Sequence, residues 1–227
     1  MKLILFDIDG TLLSAGGAGT RSLELAFRDQ FDIENAFQDI SMAGKTDPQI
    51  IREGLVHHGL PGENGIVPRL IAAYLTHLAE EMRKSKKKHL KPGVLAALRA
   101  LSAMPDFSVG LLTGNLEAGA RIKLETFAIY RHFICGAFGS DHEDRNQLLP
   151  IAMQRFMDMH GRPIEARQCI IVGDTPRDVA CSKPYGARCI AVATGPYDRG
   201  ILDETDADEV FDDLADTARF LAAVEAL

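Results

Sequence analysis

A short, continuous apolar run near the start of the chain, residues 3–6, places strong limits on the fold. The run is too short for an amphipathic helix and has no alternating polar residue, which indicates a strand covered on both faces. Such strands are typical of parallel sheets, because crossover helices cover both faces of those sheets. The motif DIDGT, residues 7–11, follows at once. Since ligands of open parallel sheets gather at the carboxyl ends of the strands, these acids mark a candidate site.

The two acids of this motif are predicted to act together. Asp7 and Asp9 are two residues apart, so a near-extended backbone directs both side chains to one side, while Ile8 points away. Two close carboxylates repel each other unless a cation or a shared proton lies between them. A purely structural alternative remains open, in which one Asp caps the turn at Gly10.

Two further apolar runs also end in polar residues. Residues 107–112 are followed by the motif TGN at 113–115, and residues 168–172 are followed by GDTPRD at 173–178. Right-handed crossovers place the ends of such strands along one edge of the sheet. The three polar clusters therefore predict one shared site.

The third cluster suits a metal ion. Asp174 and Asp178 are four residues apart across a strand-to-helix turn, a spacing that can bring both acids over one point. Hard oxygen ligands of this kind suit Mg²⁺. In the structural alternative, Thr175 is an N-cap, Pro176 is the first helical residue and Asp178 is a favourable acid in the first turn. That alternative explains Asp178 but leaves Asp174 unexplained.

In this order, the motifs DxDGT, a strand ending in Thr, a basic residue and GDxxxD resemble the haloacid dehalogenase-like hydrolase superfamily. The resemblance spans nearly the whole chain, and within the superfamily the chain looks most like small-molecule phosphatases of the phosphoglycolate phosphatase kind. Dehalogenases and phosphonate hydrolases of the superfamily lack the second aspartate, so the presence of Asp9 favours phosphate esters as substrates.

The resemblance also implies roles for the acids. Asp7 is the expected nucleophile, which forms an aspartyl-phosphate. Asp9 is the expected general acid for the leaving alkoxide and afterwards the general base for water. The family holds Mg²⁺ with acids matching Asp174 and Asp178, together with the nucleophile Asp7 and the backbone carbonyl of Asp9.

Four residues are expected to bind the phosphate group. Thr113 matches the family's phosphate-binding hydroxyl, and backbone N–H groups at Gly114 and Asn115 add donors where a helix begins. The family's third motif is usually a lysine, and the matching residue here is Arg145, which is a departure. Arginine still supplies a permanent charge and a bidentate fork for phosphate. The alternative for Arg145 is a surface position, paired with a neighbouring acid.

Strand and helix patterns alternate after about residue 92. The predicted helices cover residues 92–103, 116–128, 148–160 and 214–226, with one more from Pro176, and the predicted strands cover 107–112, 133–138, 168–172 and 188–192, with a short one near Val210. This alternation predicts an α/β fold with a doubly wound parallel sheet. Pro184 is expected to end or bend the helix that starts at Pro176.

Residues 14–90 break the alternation and are predicted to contain helices only, over 20–31, 48–58 and 63–84. The segment resembles the family's small, first-position helical cap. We therefore expect two domains, a core of residues 1–13 and 91–227 and a cap of residues 14–90. The glycine-rich stretch 16–19 lies where a hinge is needed.

Two features of the cap bear on specificity. The segment GKTDP, residues 44–48, resembles the loop that family phosphatases direct toward substrate. Asp47 before Pro48 is most simply an N-cap, so Lys45 is the specificity candidate, with a solvent-exposed lysine as an equal alternative. The basic run 83–91 is predicted to be a solvated connector, with attraction of anionic substrates or an acidic partner as the weaker alternative.

Composition favours a cytoplasmic enzyme. The 227-residue chain carries a net charge of −7, which argues against general nucleic-acid affinity. No apolar stretch approaches the roughly 20 residues of a membrane span, and Asp7 interrupts the N-terminus too early for a signal peptide. The four cysteines show no CxxC pairing, so reduced, structural thiols are expected. The oligomeric state is not predicted.

Three functions remain open from the sequence. The first is Mg²⁺-dependent hydrolysis of a small phosphomonoester, with phosphoglycolate leading by resemblance. The second is a phosphomutase, which returns the phosphoryl group to substrate and needs a cap acid or histidine above the phospho-aspartate. The third is a binding or regulatory protein on the same fold. A pure binding protein has no chemical need for the full set Asp7, Asp9, Thr113, Asp174 and Asp178.

Overall fold

A parallel sheet forms the centre of the computed structural model, which describes residues 1–62 and 65–227. Within those residues, the strands of this sheet are β1 (Lys2–Phe6), β4 (Phe107–Thr113), β5 (Cys135–Phe138), β6 (Cys169–Gly173), β7 (Arg188–Val192) and β8 (Glu209–Phe211). These six strands pair in the order β5-β4-β1-β6-β7-β8. The predicted parallel α/β fold is confirmed.

Strand register aligns the three polar clusters. Phe6, the last residue of β1, pairs with Leu111 of β4 on one side and with Val172 of β6 on the other. The residues that follow these positions therefore emerge at the same edge of the sheet. As a result, the segments after β1, β4 and β6 meet there.

Helices cover both faces of the sheet. The helices of the core are α4 (Val94–Ser102), α5 (Glu117–Glu125), α6 (Leu148–His160), α7 (Pro176–Ser182), α8 (Arg199–Asp203) and α9 (Thr217–Ala226). Side chains of β1 alternate between two apolar clusters: Ile4 and Phe6 pack on the side of α4, α5 and α9, whereas Leu3 and Leu5 pack on the side of α6, α7 and α8. This alternation explains why the run had to be apolar throughout.

The cap contains three helices in the described residues, α1 (Ala18–Phe31), α2 (Asp47–His57) and α3 (Ile66–Lys84). The rings of Phe27 and Phe37 stack edge to face in its interior, with centroids 4.8 Å apart. A Cβ on Gly54 of α2 would press against both rings, so this helix approaches them closely. The cap helices share a continuous apolar cluster with α4, α5 and α9.

A short antiparallel ribbon joins cap and core. Its strands are β2 (Leu13–Ser14) and β3 (His89–Leu90), with Leu13 opposite Leu90 and Ser14 opposite His89. The prediction of helices only over residues 14–90 was therefore wrong at both ends. Two-residue strands are too short to leave a periodic pattern, and their pairing joins positions far apart in sequence.

Most element boundaries shift by one to three residues from prediction, as is usual for helix ends. The third cap helix starts at Ile66, and the predicted start at Glu63 lies outside the described residues. Helix α7 ends at Ser182, before a 3₁₀ turn that contains Pro184, as predicted. The short helix α8 was not predicted. Among the described residues, no helix has the length and apolar character needed to cross a membrane.

Candidate active site at the carboxyl ends of the strands

Asp7 lies at the tip of β1, directly over the edge of the sheet. Its backbone N–H donates to the Val172 carbonyl at 2.9 Å, which continues the strand pairing, and the residue is only 5% exposed. Burial raises the pKa of Asp7 to about 6, against the opposing attraction of Arg145. Arg145 Nη2 lies 3.3 Å from Asp7 Oδ1. Asp7 is therefore a buried carboxylate whose negative charge depends on cationic partners for stabilisation.

Three buried acids converge at this point. Asp7, Asp174 and Asp178 each offer a carboxylate oxygen within 4.8 Å of the others. Burial, followed by the charges of Asp178 and Asp7, holds the pKa of Asp174 well above its usual range. Negative charges that are this close together and this deeply buried destabilise the protein unless a cation lies among them. The donor set is made of hard oxygens, so the chemistry of the cluster fits a divalent cation such as Mg²⁺.

Glycines make room for the Asp174 carboxylate. A Cβ on Gly10 or on Gly195 would collide with its oxygens, and Gly10 also has a positive φ of 88°. Asp174 Oδ1 accepts a hydrogen bond from the Thr11 hydroxyl at 2.7 Å. The glycine of the DIDGT motif thus both turns the chain and leaves space for Asp174, the acid that follows β6.

Asp178 has a structural role as well as a place in the site. Its Oδ2 accepts from the Thr175 N–H at 2.9 Å and from the Thr175 hydroxyl at 2.7 Å, which closes the first turn of α7. Its Oδ1 accepts from Arg145. Both oxygens of Asp178 therefore have partners within the chain, whereas Asp174 accepts a hydrogen bond only at Oδ1 within the described residues.

Arg145 lies between two of the acids. It opens a 3₁₀ turn, Arg145–Gln147, after the N-cap Asp144, and it is 7% exposed. Burial would lower the pKa of Arg145, but the charges of Asp178 and Asp7 outweigh burial and raise it. The surface alternative is not what the structure shows, since the neighbouring Glu143 pairs instead with Arg52 of α2.

The TGN motif lines the same edge. Thr113 is fully buried at the end of β4, and its hydroxyl lowers the pKa of Asp7. The Asn115 amide donates to Asp9 Oδ2 at 2.9 Å. A Cβ on Gly114 would collide with the backbone carbonyl of Lys45, so this glycine lets the cap loop approach.

Lys123 was not predicted as a site residue. It lies on α5 and is 3% exposed, and its Nζ lies 2.5 Å from Asp9 Oδ2 and 2.5 Å from Asn115 Oδ1. Burial would lower the pKa of Lys123, but the charges of Asp9 and Asp47 outweigh burial and raise it. A signal existed in the sequence: Lys123 falls on the same helical face as the buried residues Ala120 and Leu124. A lysine on an apolar helical face needs a buried partner.

In the cap loop, the structure corrects the prediction for Asp47. Thr46 is the N-cap of α2 and accepts from the Gln49 N–H at 3.3 Å, while Asp47 is the first helical residue. Asp47 instead reaches across to the core, where its Oδ2 accepts from the Leu116 N–H at 2.9 Å. The prediction failed because the preceding Thr46 already supplies a capping hydroxyl, which leaves the Asp47 carboxylate available for another donor.

Lys45 lies in the same loop. Its Nζ pairs with Glu53 of α2, and its side chain is 12% exposed. The alternative of a solvent-exposed lysine is therefore not what the structure shows. In the basic run 83–91, Lys88 donates to the Met82 carbonyl near the end of α3, at 2.6 Å, and Lys91 donates to the distant Thr194 carbonyl, at 2.5 Å.

A cavity of about 510 Å³ connects these residues. The core supplies its polar floor, and the cap supplies a mainly apolar wall. The floor includes Asp7, Asp9, Lys91, Asn115, Lys123, Arg145 and Asp174, and the wall includes Leu23, Met42, Lys45, Asp47, Ile50 and Tyr74. A cavity of this size accommodates a small metabolite.

Comparisons with known proteins agree with this geometry. A family profile described as haloacid dehalogenase-like hydrolase matches residues 1–186. A phosphoglycolate phosphatase of Rhodospirillum rubrum is 28% identical over 226 residues, covering 97% of this chain and 90% of the relative. A phosphoglycolate phosphatase of Pseudomonas savastanoi pv. phaseolicola is 30% identical over 223 residues, covering 94% and 77%.

The fold is also that of a solved structure, a hydrolase from Pseudomonas syringae. The two structures have a TM-score of 0.75 at 20% identity, and the match covers 99% of each chain. The resemblance predicted from the ordered motifs, with the enzyme class that it implies, is confirmed. The chain belongs to the haloacid dehalogenase-like hydrolase family.

Proposed function

We propose that this hydrolase cleaves a small phosphomonoester through a covalent phosphoryl intermediate on Asp7, with Mg²⁺ as cofactor. The observation that carries the proposal is the environment of Asp7, a buried carboxylate that faces the cavity beside the Arg145 guanidinium, the Thr113 hydroxyl and Asp174. A nucleophile, charge-neutralising donors and metal-ligating oxygens are the parts that phosphoryl transfer needs.

In the proposed reaction, an Asp7 oxygen attacks phosphorus, and the bond from phosphorus to the leaving oxygen breaks. Asp9 donates its proton to that oxygen, so the product leaves as an alcohol. Its side chain is 40% exposed and lines the cavity, where a leaving group can reach it. Asp9 then takes a proton from water, which attacks the phospho-aspartate and releases inorganic phosphate. Both steps balance without a further reactant.

The residues proposed to hold Mg²⁺ are the carboxylates of Asp7 and Asp174 and the backbone carbonyl of Asp9. Both carboxylate oxygens of Asp178 already accept hydrogen bonds within the chain. Asp178 therefore contributes mainly by holding Arg145 in place beside the metal site. When bound, Mg²⁺ supplies positive charge that stabilises the phosphoryl oxygens as negative charge develops. Arg145 and Thr113 are proposed to orient the same group from the opposite side.

Phosphoglycolate is the leading substrate candidate, supported by the two relatives named above. Lys45 is the proposed partner for the substrate carboxylate, since it lies in the cap wall of the cavity. It must exchange its contact with Glu53 for the substrate. We also propose that residues 14–90 act as a cap that closes over the cavity and excludes water. A cytoplasmic location stays part of the proposal.

Hydrolysis is favoured over the phosphomutase alternative. A mutase needs a cap acid or histidine that can act on the substrate above Asp7. The acid that the cap brings to the cavity, Asp47, is held by Leu116. Its charge also interacts with that of the buried Lys123. Water is therefore the proposed acceptor of the phosphoryl group.

The test is phosphate release from a panel of phosphomonoesters that includes phosphoglycolate, an aryl phosphate and a sugar phosphate. We expect turnover with Mg²⁺ that is lost with a chelator and lost in Asp7→Asn. Turnover of phosphoglycolate that falls in Lys45→Met mainly through a higher KM would support the assigned substrate. A folded protein that releases no phosphate from any ester would reject hydrolysis, and activity that requires a sugar bisphosphate would point to a mutase.

A further inference from the structure

Lys123 lines the cavity together with two acids from different parts of the molecule: its Nζ pairs with Asp9 of the core, and Asp47 of the cap lines the same cavity. We propose, on the basis of the proposed function, that Lys123 is a positioning residue that couples closure of the cap to the orientation of the Asp9 carboxylate. Asp47 is the cap residue that comes close to Lys123 when the cap closes. Neither residue is assigned a chemical step in the reaction proposed above.

The cap loop docks directly on the start of α5. The Asp47 N–H donates to the Gly114 carbonyl at 2.7 Å, and Asp47 Oδ2 accepts from the Leu116 N–H at 2.9 Å. Leu116 is the N-cap residue of α5, so the carboxylate lies at the positive end of that helix. Lys123 lies two turns further along the same helix. One cap residue therefore touches the helix that carries Lys123.

Burial makes these contacts depend on one another. Lys123 is 3% exposed and Asp47 is 7% exposed, and a buried charge is costly unless an opposite charge accompanies it. Burial raises the pKa of Asp47 to about 6, and the nearby Lys123 charge opposes that rise. With the cap closed, the ammonium pairs with Asp9, and the Asp47 carboxylate is held at the start of the same helix. With the cap open, the ammonium would retain only Asp9 and the Asn115 amide oxygen, and water would enter.

Lys123 also controls how Asp9 is held. The Asp9 Oδ2 atom accepts from both Lys123 Nζ and the Asn115 amide, while Asn115 Oδ1 accepts from Lys123 as well. These three groups form a closed triangle that fixes the plane of the Asp9 carboxylate. Proton transfer to a leaving oxygen depends on such placement. Closing the cap would then align the acid at the moment that water is excluded.

Leaving-group dependence separates this role from a merely structural one. An aryl phosphate has a good leaving group that needs little protonation, whereas an alkyl phosphate needs the acid. We expect Lys123→Met to lower kcat/KM by roughly 100-fold for an alkyl phosphate and by under about 10-fold for an aryl phosphate. Equal losses for both esters would overturn the positioning role, since misfolding or weaker phosphate binding affects both alike.

Asp47→Asn tests the coupling from the cap side, because it keeps an oxygen acceptor for Leu116 and removes the charge. We expect a smaller loss with the same leaving-group bias, and we expect the double variant with Lys123→Met to lose less than the product of the two single losses. Multiplicative losses would show that the two residues act independently and would overturn the coupling.

Arg52→Gln is the matched control. Arg52 also links cap and core, through an ion pair with Glu143, but its side chain is 64% exposed. Exposed pairs contribute little, so kcat/KM for both esters should stay within about twofold of the unsubstituted protein. A loss as large as that of Asp47→Asn would mean that any contact between cap and core matters and would remove the special role of the buried pair.

A measurement without substrate separates failure of this inference from failure of the proposed function. Spin labels at Val56→Cys in the cap and Met159→Cys in the core report the distance between the two parts, and both native side chains are exposed. The native thiols are poor competitors for the label, since burial raises the pKa of Cys135 to about 11 and of Cys169 and Cys181 to about 12, and holds that of Cys189 well above its usual range.

We expect the distance distribution to lengthen in Lys123→Met and in Asp47→Asn but not in Arg52→Gln. Lengthening in a protein that hydrolyses no ester would keep the cap contact and reject the phosphatase. Unchanged distances in both buried variants would overturn the closing role of Asp47, whatever the activity.

Discussion

At the scale of single residues, Asp7 carries its charge where burial opposes it. The folded protein raises the pKa of Asp7 from 3.8 to about 6, so the folded chain holds a proton between these pH values that the unfolded chain has released. The free energy of unfolding of the metal-free protein therefore falls as pH rises through this window. Asp7, the proposed nucleophile, is held in place at a cost to stability, which a bound cation would offset.

Replacing Asp7 with Asn should reveal this cost. We expect metal-free Asp7→Asn to be more stable than the unsubstituted protein by about 1–3 kcal/mol at neutral pH, since each unit of pKa shift corresponds to about 1.4 kcal/mol. The difference should shrink as pH falls and disappear below about pH 3, where Asp7 is protonated in both states. Urea unfolding in the presence of a chelator measures both values.

Asp39→Asn is the control for this experiment, because Asp39 is exposed. Its unfolding free energy should match that of the unsubstituted protein at both pH values. A destabilised Asp7→Asn at neutral pH would contradict the description of Asp7 as a buried carboxylate held at a cost to stability. Retention of more than a few per cent of turnover by Asp7→Asn, with deamidation excluded, would reject Asp7 as the nucleophile.

Arg145 contacts Asp7 and Asp178 with one nitrogen of its guanidinium, and its charge and its shape make separate contributions. We expect Arg145→Lys to retain the charge and to lower kcat by about 10-fold or less, as the lysine usual in the family suggests. Arg145→Met removes the charge and should lower kcat by roughly 100-fold to 1000-fold. Steady-state kinetics compares the two. If the lysine variant is as slow as the methionine variant, then the geometry of the guanidinium, and not its charge, determines its contribution to kcat.

At the scale of elements, the loop before α2 lies against the turn after β4 with no side chain between them. A Cβ on Gly114 would meet the backbone of Lys45 and Thr46, which cannot rotate away as a side chain can. Gly114→Ala should therefore push the cap loop outward. We expect kcat/KM to fall by roughly 10-fold or more, since small misplacements of reacting groups slow catalysis strongly.

Gly62→Ala provides the comparison for Gly114→Ala. A Cβ at Gly62 would meet nothing within 4 Å. Its kinetics should equal those of the unsubstituted protein, and circular dichroism should show that both variants keep their helices. Unchanged kinetics in Gly114→Ala would mean that the cap loop does not need this close contact during turnover.

Elements differ in how far the sequence predicts them. The strands at residues 3–6, 107–112 and 168–172 were predictable because a strand buried on both faces must be apolar throughout. The ribbon of β2 and β3 was not, because its pairing depends on how the cap folds back on the core. Asp7 and Asp174 follow directly on predictable strands, whereas Lys123 and Asp47 are brought to the same cavity only by tertiary packing, so their proximity could not be read from spacing.

At the scale of the whole molecule, the acid cluster predicts that stability depends on Mg²⁺. A ligand that binds only the folded state at about 100 times its Kd raises the unfolding free energy by about 2.7 kcal/mol. We expect Mg²⁺ to raise Tm of the unsubstituted protein, and Asp174→Asn to remove most of that increase. Thermal unfolding with Mg²⁺, with chelator and with NaCl at equal ionic strength gives the comparison.

Asp178→Asn should behave differently in the same experiment. Its carboxylate closes the first turn of α7 and pairs with Arg145, so the variant should have a lower Tm even with chelator. An Asp174→Asn protein that keeps the full increase in Tm with Mg²⁺ would contradict the assigned ligand set.

The ribbon of β2 and β3 has a consequence for how such molecules diversify. The chain leaves the core at Leu13 and returns at Leu90, and these two residues lie side by side. The core therefore needs from the intervening segment only that its two ends be close together, and closing even a long loop costs little more than closing a short one. Helical inserts of other shapes could therefore join the core at the same ribbon. If the cap selects the substrate, as proposed above, such a replacement would change the substrate range and leave the acids at the sheet edge in place.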